Sequence, residues 1–213
     1  MEFAEVVARR RMVRRYLDEP VDEAFLRRAL THATRAPSAG YTQGWSFLVL
    51  RTRVDVDRFW TATTPEVEEP RSGVTKPPNP WLDGMRSAPV VIVVLASETA
   101  YRTRYSESDK QGAGRRSAEM PWWQIDAAMA SLLILQTATD EGLGACFFGV
   151  PVASVEELRG AFGIPEDFDP IGAITLGHPA PTAPSGSPTR RTRRPLSEVA
   201  HDGSWGTRFG EPL

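Results

Sequence analysis

The chain has 213 residues, enough for one large domain, and 41% of them are hydrophobic while 24% are charged. With 25 Lys and Arg against 27 Asp and Glu, the formal charge is −2, which gives no argument for binding nucleic acid or a membrane. The single cysteine, Cys146, excludes an internal disulfide, and the 3 histidines are too scattered to suggest a metal site. The first residues lack the pattern of a signal peptide, so we expect a cytoplasmic protein.

The first quarter of the chain predicts two helices, a turn and a strand. Residues 2–10 and 22–34 carry apolar side chains at helical spacing. The turn at 36–44 is rich in small residues. Its proline fixes the backbone angle φ, and its glycines permit conformations that other residues avoid. An apolar run at 46–50 then predicts a buried strand. Taken alone, the turn is an ordinary loop, although its backbone N–H groups and the Ser38 hydroxyl suit contact with a flat ligand.

The middle of the chain combines one clear strand with irregular segments. Residues 55–61 predict a short helix, and the continuous β-branched run at 88–96 predicts a central strand buried on both faces. Periodicity is lost over 64–86 and again over 101–120, so both segments are expected to be irregular. The second segment, together with the two tryptophans that follow it, fits a lid over a binding site and a surface loop equally well.

The longest predicted helix runs over residues 121–141. Pro121 suits the first turn of this helix, and Gly142 suits its C-terminal cap. Its apolar residues leave no clear polar face, and a helix that is apolar almost all round is buried almost all round. Such a helix is buried either inside one chain or between two chains.

The last third predicts two strands, at 143–149 and 171–177. Between them, a capping-box pattern at Ser154 predicts the start of a short helix that ends at Gly163. An extended connector rich in Pro, Ser and Thr and a short helix or arm at 195–201 follow. The mixture of strands and helices indicates an α+β or α/β fold.

No side chain is indicated as a nucleophile. Cys146 lies within an apolar strand, where a buried inert thiol is expected. Arginine, however, is concentrated near both ends of the chain, within residues 9–15 and 190–194. Guanidinium binds phosphate in a bidentate manner, so two clusters that converge would suit one phosphate. Solvated faces and a weak RNA-binding surface are the alternatives that composition leaves open, and the second of these requires interleaved exposed aromatics.

Four motifs, in order along the chain, resemble the FMN-dependent nitroreductase family. They are RRMVRRY at 10–16, RAPSAGYTQGW at 35–45, DEGLGACFFG at 140–149 and RRPL at 193–196. The resemblance implies one α+β domain over 1–213, with a nitroreductase-like mixed sheet flanked by helices. It also implies an intertwined homodimer, with the long helix in the dimer core and the C-terminal arm, 179–213, exchanged between subunits.

The resemblance implies that FMN lies at the subunit interface. Two basic motifs would bind its phosphate, a loop of the other subunit would lie along the flavin, and the backbone after a strand would approach N5. The residues so assigned are Arg10, Arg11, Met12 and Arg14; Arg191 and Arg193; Pro37, Ser38, Ala39 and Gln43; and Phe147, Phe148 and Gly149. Met12 stands where the family usually has a polar residue, and Tyr41 and Gly44 stand where it has Asn and Pro.

The implied activity is that of an FMN-dependent NAD(P)H oxidoreductase. NAD(P)H would reduce FMN by hydride transfer and leave, and a nitroaromatic, quinone or similar acceptor would then bind in a ping-pong cycle. No catalytic side chain is assigned, because the flavin carries the chemistry. The alternatives are a specialised superfamily member (dehalogenase-like, flavin-destructase-like or dependent on the deazaflavin F420) and a flavin- or F420-binding protein with little turnover.

Overall fold

The chain consists of two compact units, Met1–Ala180 and Pro181–Leu213. The structure, a computed structural model, describes residues 1–64, 80–110, 120–181 and 191–210. The described helices are α1 (Phe3–Arg9), α2 (Glu23–Ala33), α3 (Arg53–Thr63), α4 (Pro80–Arg86), α5 (Glu98–Ser106), α6 (Trp122–Asp140), α7 (Val155–Phe162) and α8 (Leu196–Val199). The described strands are β1 (Trp45–Leu50), β2 (Val90–Ala96), β3 (Gly144–Phe148) and β4 (Asp169–Gly177).

The strands form one sheet in the order β1-β2-β4-β3, and each neighbouring pair is antiparallel. The predicted α+β class is therefore confirmed. Parallel pairing in the described residues occurs at an isolated bridge between Met12 and Ala145. There Val13 donates its backbone N–H to the Ala145 carbonyl at 3.0 Å. This pairing holds the segment that carries the N-terminal arginines beside β3.

Strand β2 is buried along its whole length, as its sequence predicts. Because side chains alternate across a strand, its residues contribute to both faces of the sheet. The even-numbered side chains from Val90 to Ala96 pack with α2 and α6, and the odd-numbered ones pack with α3, α4 and α7. The first unit thus has three layers, with helices on both faces of the sheet.

Two segments predicted to be irregular contain helices. Helix α4 begins at Pro80, whose missing N–H is not needed in the first turn of a helix. Helix α5 forms because the Ser97 hydroxyl accepts the Ala100 N–H at 3.1 Å and so caps its N-terminus. The remaining parts of the predicted irregular segments, 65–79 and 111–119, lie outside the described residues, as does most of the predicted connector.

The capping box predicted at Ser154 is wrong, although α7 begins directly after this residue. The Ser154 hydroxyl donates to the Thr63 carbonyl at 3.5 Å instead of accepting a helix N–H. The predicted glycine at the end of the helix is confirmed, because Gly163 has a φ of 64°. Gly142 plays the same role after α6, with a φ of 77°.

Helix α6 is buried on one side only within a single chain. Ala127, Ala130 and Ile134 face the core of the first unit and are 0% exposed. On another side of the helix, Leu132 is 44% exposed and Met129 is half-buried. The apolar outer face therefore fits burial between two chains better than burial within one. Among the described helices, none is both long and apolar enough to cross a membrane.

The second unit is built around the short helix α8. Arg194 donates from Nε to Glu198 at 3.2 Å, and His201 packs its ring against Trp205 with centroids 4.2 Å apart. Among the described residues of this unit, the large apolar side chains that are exposed are Leu196 at 63%, Val199 at 51%, Trp205 at 90% and Phe209 at 56%. Such a set of exposed apolar residues is typical of a segment that packs against another surface.

Replacing Gly84 with alanine is expected to destabilise the protein by about 3 kcal/mol, because it forces atoms into occupied space. A Cβ atom at Gly84 would lie 2.2 Å from the backbone oxygen of Arg14, which cannot move without disturbing the segment beside β3. Gly160 in α7 is the matched control, since its Cβ would meet nothing within 4 Å. Gly160→Ala should stabilise the protein by about 1 kcal/mol. Thermal denaturation of both variants measures these changes in stability. Equal changes in the two variants would contradict the predicted clash at Gly84.

Candidate functional site

The loop at 36–44 has a backbone conformation that most residues avoid. Gly40, Tyr41 and Gln43 have φ angles of 63°, 56° and 54°. For a residue other than glycine, the left-handed region costs about 1–2 kcal/mol. Such strained residues persist only where the surrounding structure fixes them, and they are concentrated in functional sites. The interactions that fix this loop therefore bear directly on its role.

A buried carboxylate on α6 fixes the first part of the loop. Asp126 is 1% exposed, and its Oδ2 accepts the Ala39 N–H at 2.7 Å and the Tyr101 hydroxyl at 2.6 Å. The Ser38 hydroxyl lies 3.4 Å from the Tyr101 oxygen and accepts the Gln43 N–H at 2.7 Å. Burial raises the pKa of Tyr101 to about 12, so at neutral pH its phenol is protonated and donates.

Helix α5 fixes the second part of the loop. Arg104 donates from Nε to the Gly40 carbonyl at 2.9 Å, and its guanidinium also makes a bidentate pair with Asp109 at 2.7 Å. The Tyr101 ring lies so close to Gly44 that a Cβ there would be 2.6 Å from Cε2. Glycine at this position therefore lets α5 pack directly on the loop.

The N-terminal arginine motif contains one unsatisfied guanidinium nitrogen. Arg10 Nη1 is buried and has no hydrogen-bond partner among the described residues. Arg11 and Arg14 are exposed, while Met12 is half-buried between the two apolar layers on either side of the sheet. A buried N–H without a partner is costly, and an anionic ligand such as phosphate would satisfy it. The residues of this motif therefore fit the phosphate of FMN.

The end of β3 uses its side chains for packing and leaves its backbone open. Phe148 stacks on Trp60 with centroids 5.6 Å apart and an angle of 11° between the rings. Phe147 packs on the opposite face, where a Cβ at Gly172 would be 2.4 Å from its Cζ. Gly149 is exposed, and a Cβ there would meet nothing within 4 Å. The backbone at Gly149 is therefore open to a ligand.

Cys146 is a buried thiol, as predicted, with 2% of its surface exposed. Burial raises its pKa, and the neighbouring Arg14 offsets only part of this effect. A protonated buried thiol is a poor nucleophile. Within the described ranges, no group of three or more His, Cys, Asp and Glu side chains is placed to hold a metal ion.

The predicted site residues fall into three places. The arginine motif lies beside β3, where Met12 forms a parallel bridge with Ala145. Arg14 therefore lies toward the end of the strand, whereas Arg10 lies toward its beginning. The 36–44 loop is held instead by α5 and α6, and no hydrogen bond among the described residues links it to the arginine motif. Arg191 and Arg193 are exposed in the second unit, which is described by itself.

Sequence reasoning missed the three side chains that fix the loop: Asp126, Tyr101 and Arg104. One signal for Asp126 was present. Apart from Asp140 at its end, α6 has no other charged residue, and an isolated acid within an apolar helix is buried only when it has partners. No comparable signal marks Tyr101 or Arg104, because both lie on a polar helix.

Comparison with known proteins agrees with the fold. The profile of the nitroreductase family matches residues 7–178, so the chain belongs to the nitroreductase family. A relative from Methanothermobacter thermautotrophicus, named provisionally as an NADH dehydrogenase/NAD(P)H nitroreductase, is 31% identical over 183 residues, which are 84% of this chain and 78% of that protein.

Two solved structures have the same fold. A protein from Desulfovibrio desulfuricans, named provisionally as a nitroreductase and solved in complex with FMN, is 25% identical with a TM-score of 0.65. The match covers 96% of this chain and 98% of that chain. The NfrA2 protein of B. megaterium has a TM-score of 0.72 at 18% identity, and the match covers 97% of this chain and 76% of NfrA2. The second likeness concerns the fold alone.

Proposed function

We propose that the protein is a cytoplasmic, homodimeric, FMN-dependent NAD(P)H oxidoreductase of the nitroreductase type. The observation that carries the proposal is the buried Nη1 of Arg10, which has no partner among the described residues, in a motif whose Met12 and Val13 pair with Ala145 of β3. Family membership, the FMN complex of the D. desulfuricans relative and the name of the archaeal relative support the same activity.

Each candidate residue has a defined part in this proposal. Arg10, Arg11 and Arg14 would bind the FMN phosphate together with Arg191 and Arg193. Met12 would contribute apolar contact, and the backbone of 147–149 would face the flavin ring. From the other subunit, Pro37, Ser38, Ala39 and Gln43 would form a wall along the flavin. When bound, FMN supplies hydride acceptance from NAD(P)H and electron transfer to a nitroaromatic, quinone or similar acceptor.

Exposed apolar surface supports the homodimer. The outer face of α6 presents Leu132 and half-buried neighbours, and the described part of the second unit exposes four large apolar side chains. A groove of about 660 Å³ also runs between α2 and the edge strand β1, with Leu30, Trp45 and Phe47 among its lining residues. Burial of these surfaces against a second chain, with exchange of the C-terminal arms, removes apolar area from water.

The test is the colour and the redox behaviour of the purified protein. We expect a yellow protein whose flavin band is bleached by NADH or NADPH without oxygen and restored by a nitroaromatic or a quinone. Reduced F420 is tested in parallel. A colourless protein that FMN does not reconstitute would contradict the proposal. Bleaching by reduced F420 alone would instead favour the F420-dependent alternative, and bound flavin that no donor bleaches would favour a binding protein.

A further inference from the structure

We propose that Asp126, acting with Tyr101, is a positioning residue that holds the 36–44 loop in the shape of a flavin-binding wall. The inference rests on the proposed function, because it assigns a task to a loop expected to face FMN. Asp126 itself does not touch the flavin in this proposal; it acts through the Ala39 backbone and through Ser38.

The direction of the hydrogen bonds is fixed by the chemistry of the groups. The Ala39 N–H and the Tyr101 hydroxyl both donate to Oδ2 of Asp126. The single proton of Tyr101 is then used, and Ser38 donates its own proton to the Tyr101 oxygen. The Ser38 oxygen remains free to accept the Gln43 N–H. One carboxylate therefore orders both ends of the turn.

The strain in the loop lies between its fixed points. The Ala39 N–H is held by Asp126, and the Gly40 carbonyl is held by Arg104. The left-handed residues Tyr41 and Gln43 follow directly, and the Gln43 N–H is held through Ser38. Hydrogen bonds within the loop close the turn, from the Tyr41 N–H to the Ser38 carbonyl at 2.9 Å and from the Thr42 hydroxyl to the Ala39 carbonyl at 2.7 Å. The contacts with Asp126 and Arg104 anchor this turn to α6 and α5.

Stability of the core does not account for this arrangement. Burying a carboxylate is costly, and well-packed apolar residues in its place are often equally or more stabilising. The loop that Asp126 holds contributes little to the core, since Tyr41 is 81% exposed and Pro37 and Gln43 are also exposed. A buried charge that rigidifies an exposed loop suits a binding surface whose shape must be preorganised.

The experiment compares Asp126→Asn, Asp126→Ala and Tyr101→Phe with Ile134→Ala. Ile134 is 0% exposed on the same helix and packs in the core, so its truncation lowers stability without touching the loop. For each protein we would measure the FMN dissociation constant by flavin fluorescence, the melting temperature, and hydrogen exchange of the Ala39 amide in the apo-protein.

Asp126→Ala is expected to raise the FMN dissociation constant about tenfold and to accelerate exchange at Ala39 by at least about tenfold. Asp126→Asn keeps a neutral acceptor, so the FMN dissociation constant and the exchange rate at Ala39 should each rise only about twofold. Ile134→Ala should lower the melting temperature while Ala39 exchange and FMN affinity stay within about twofold of wild type.

Two results overturn the inference separately from the proposed function. If the wild type binds FMN and the Asp126 variants only lose thermal stability, as Ile134→Ala does, the residue is merely structural. If Ala39 exchange is unchanged in Asp126→Ala, the hydrogen bond does not hold the loop. A wild type that binds no FMN would overturn the proposed function as well, whatever the exchange data show.

Discussion

Replacing Arg10 with methionine is expected to weaken FMN binding about 100-fold while leaving the apo-protein at least as stable as wild type. Arg10 Nη1 is buried without a partner in the described part of the chain, so the apo-protein bears its desolvation cost. Methionine keeps an apolar stem of similar length and removes the polar group. In the FMN complex, by contrast, the variant lacks the charge-assisted hydrogen bonds that Arg10 would donate to the phosphate. The two effects therefore have opposite signs, which a merely structural residue would not show.

Arg9→Met is the matched control for this experiment. Arg9 is the preceding residue, but its side chain is 65% exposed and pairs with Glu5 at 2.6 Å on the surface of α1. Exposed pairs of this kind contribute less than about 1 kcal/mol, so the variant should bind FMN like wild type. Isothermal titration with FMN and thermal denaturation of the apo-proteins measure both quantities. Equal FMN affinity in the two variants would refute the phosphate assignment of Arg10.

Much of the fold could be predicted from the local pattern of apolar residues, because that pattern decides which segments form buried strands and helices. The run at 88–96 is continuously apolar, and it forms the inner strand that both helical layers cover. Helix α6 was equally clear from its length and composition. Helix α5 was missed because only Tyr101 on it is buried, so no apolar periodicity marks it. Its position depends on the Ser97 cap and on contacts with a distant loop.

The candidate site was predicted less completely, and the reason is distance along the chain. The residues assigned from the family resemblance include the loop segment Pro37, Ser38 and Ala39, which does have an unusual backbone around it. The carboxylate that holds this segment is 87 residues away from Ala39. No periodicity connects positions so far apart; only the packing of α6 across the sheet brings them together. The same holds for Arg104 and the Gly40 carbonyl.

Leu132→Arg is expected to convert the proposed homodimer into a monomer and to abolish FMN retention. Leu132 is 44% exposed on the outer face of α6, so Leu132→Arg is tolerated within one folded chain. In a symmetric interface the new charge appears twice and is desolvated on association, which costs several kcal/mol when unpaired. FMN is lost as well, because each site would need the 36–44 loop of the other subunit.

Val54→Arg is the control for the dimer experiment. Val54 is 75% exposed on α3, which packs on the opposite face of the sheet from α6. The same charge added there should leave both mass and flavin content unchanged, because exposed positions tolerate arginine within about 0.5 kcal/mol. Light scattering after gel filtration gives the mass, and the visible spectrum gives the flavin content.

A Leu132→Arg protein that remains dimeric would show that the apolar face of α6 is not the interface. A monomer that retains FMN would show instead that one chain completes the site, and the loop at 36–44 would then have no flavin of a second subunit to contact.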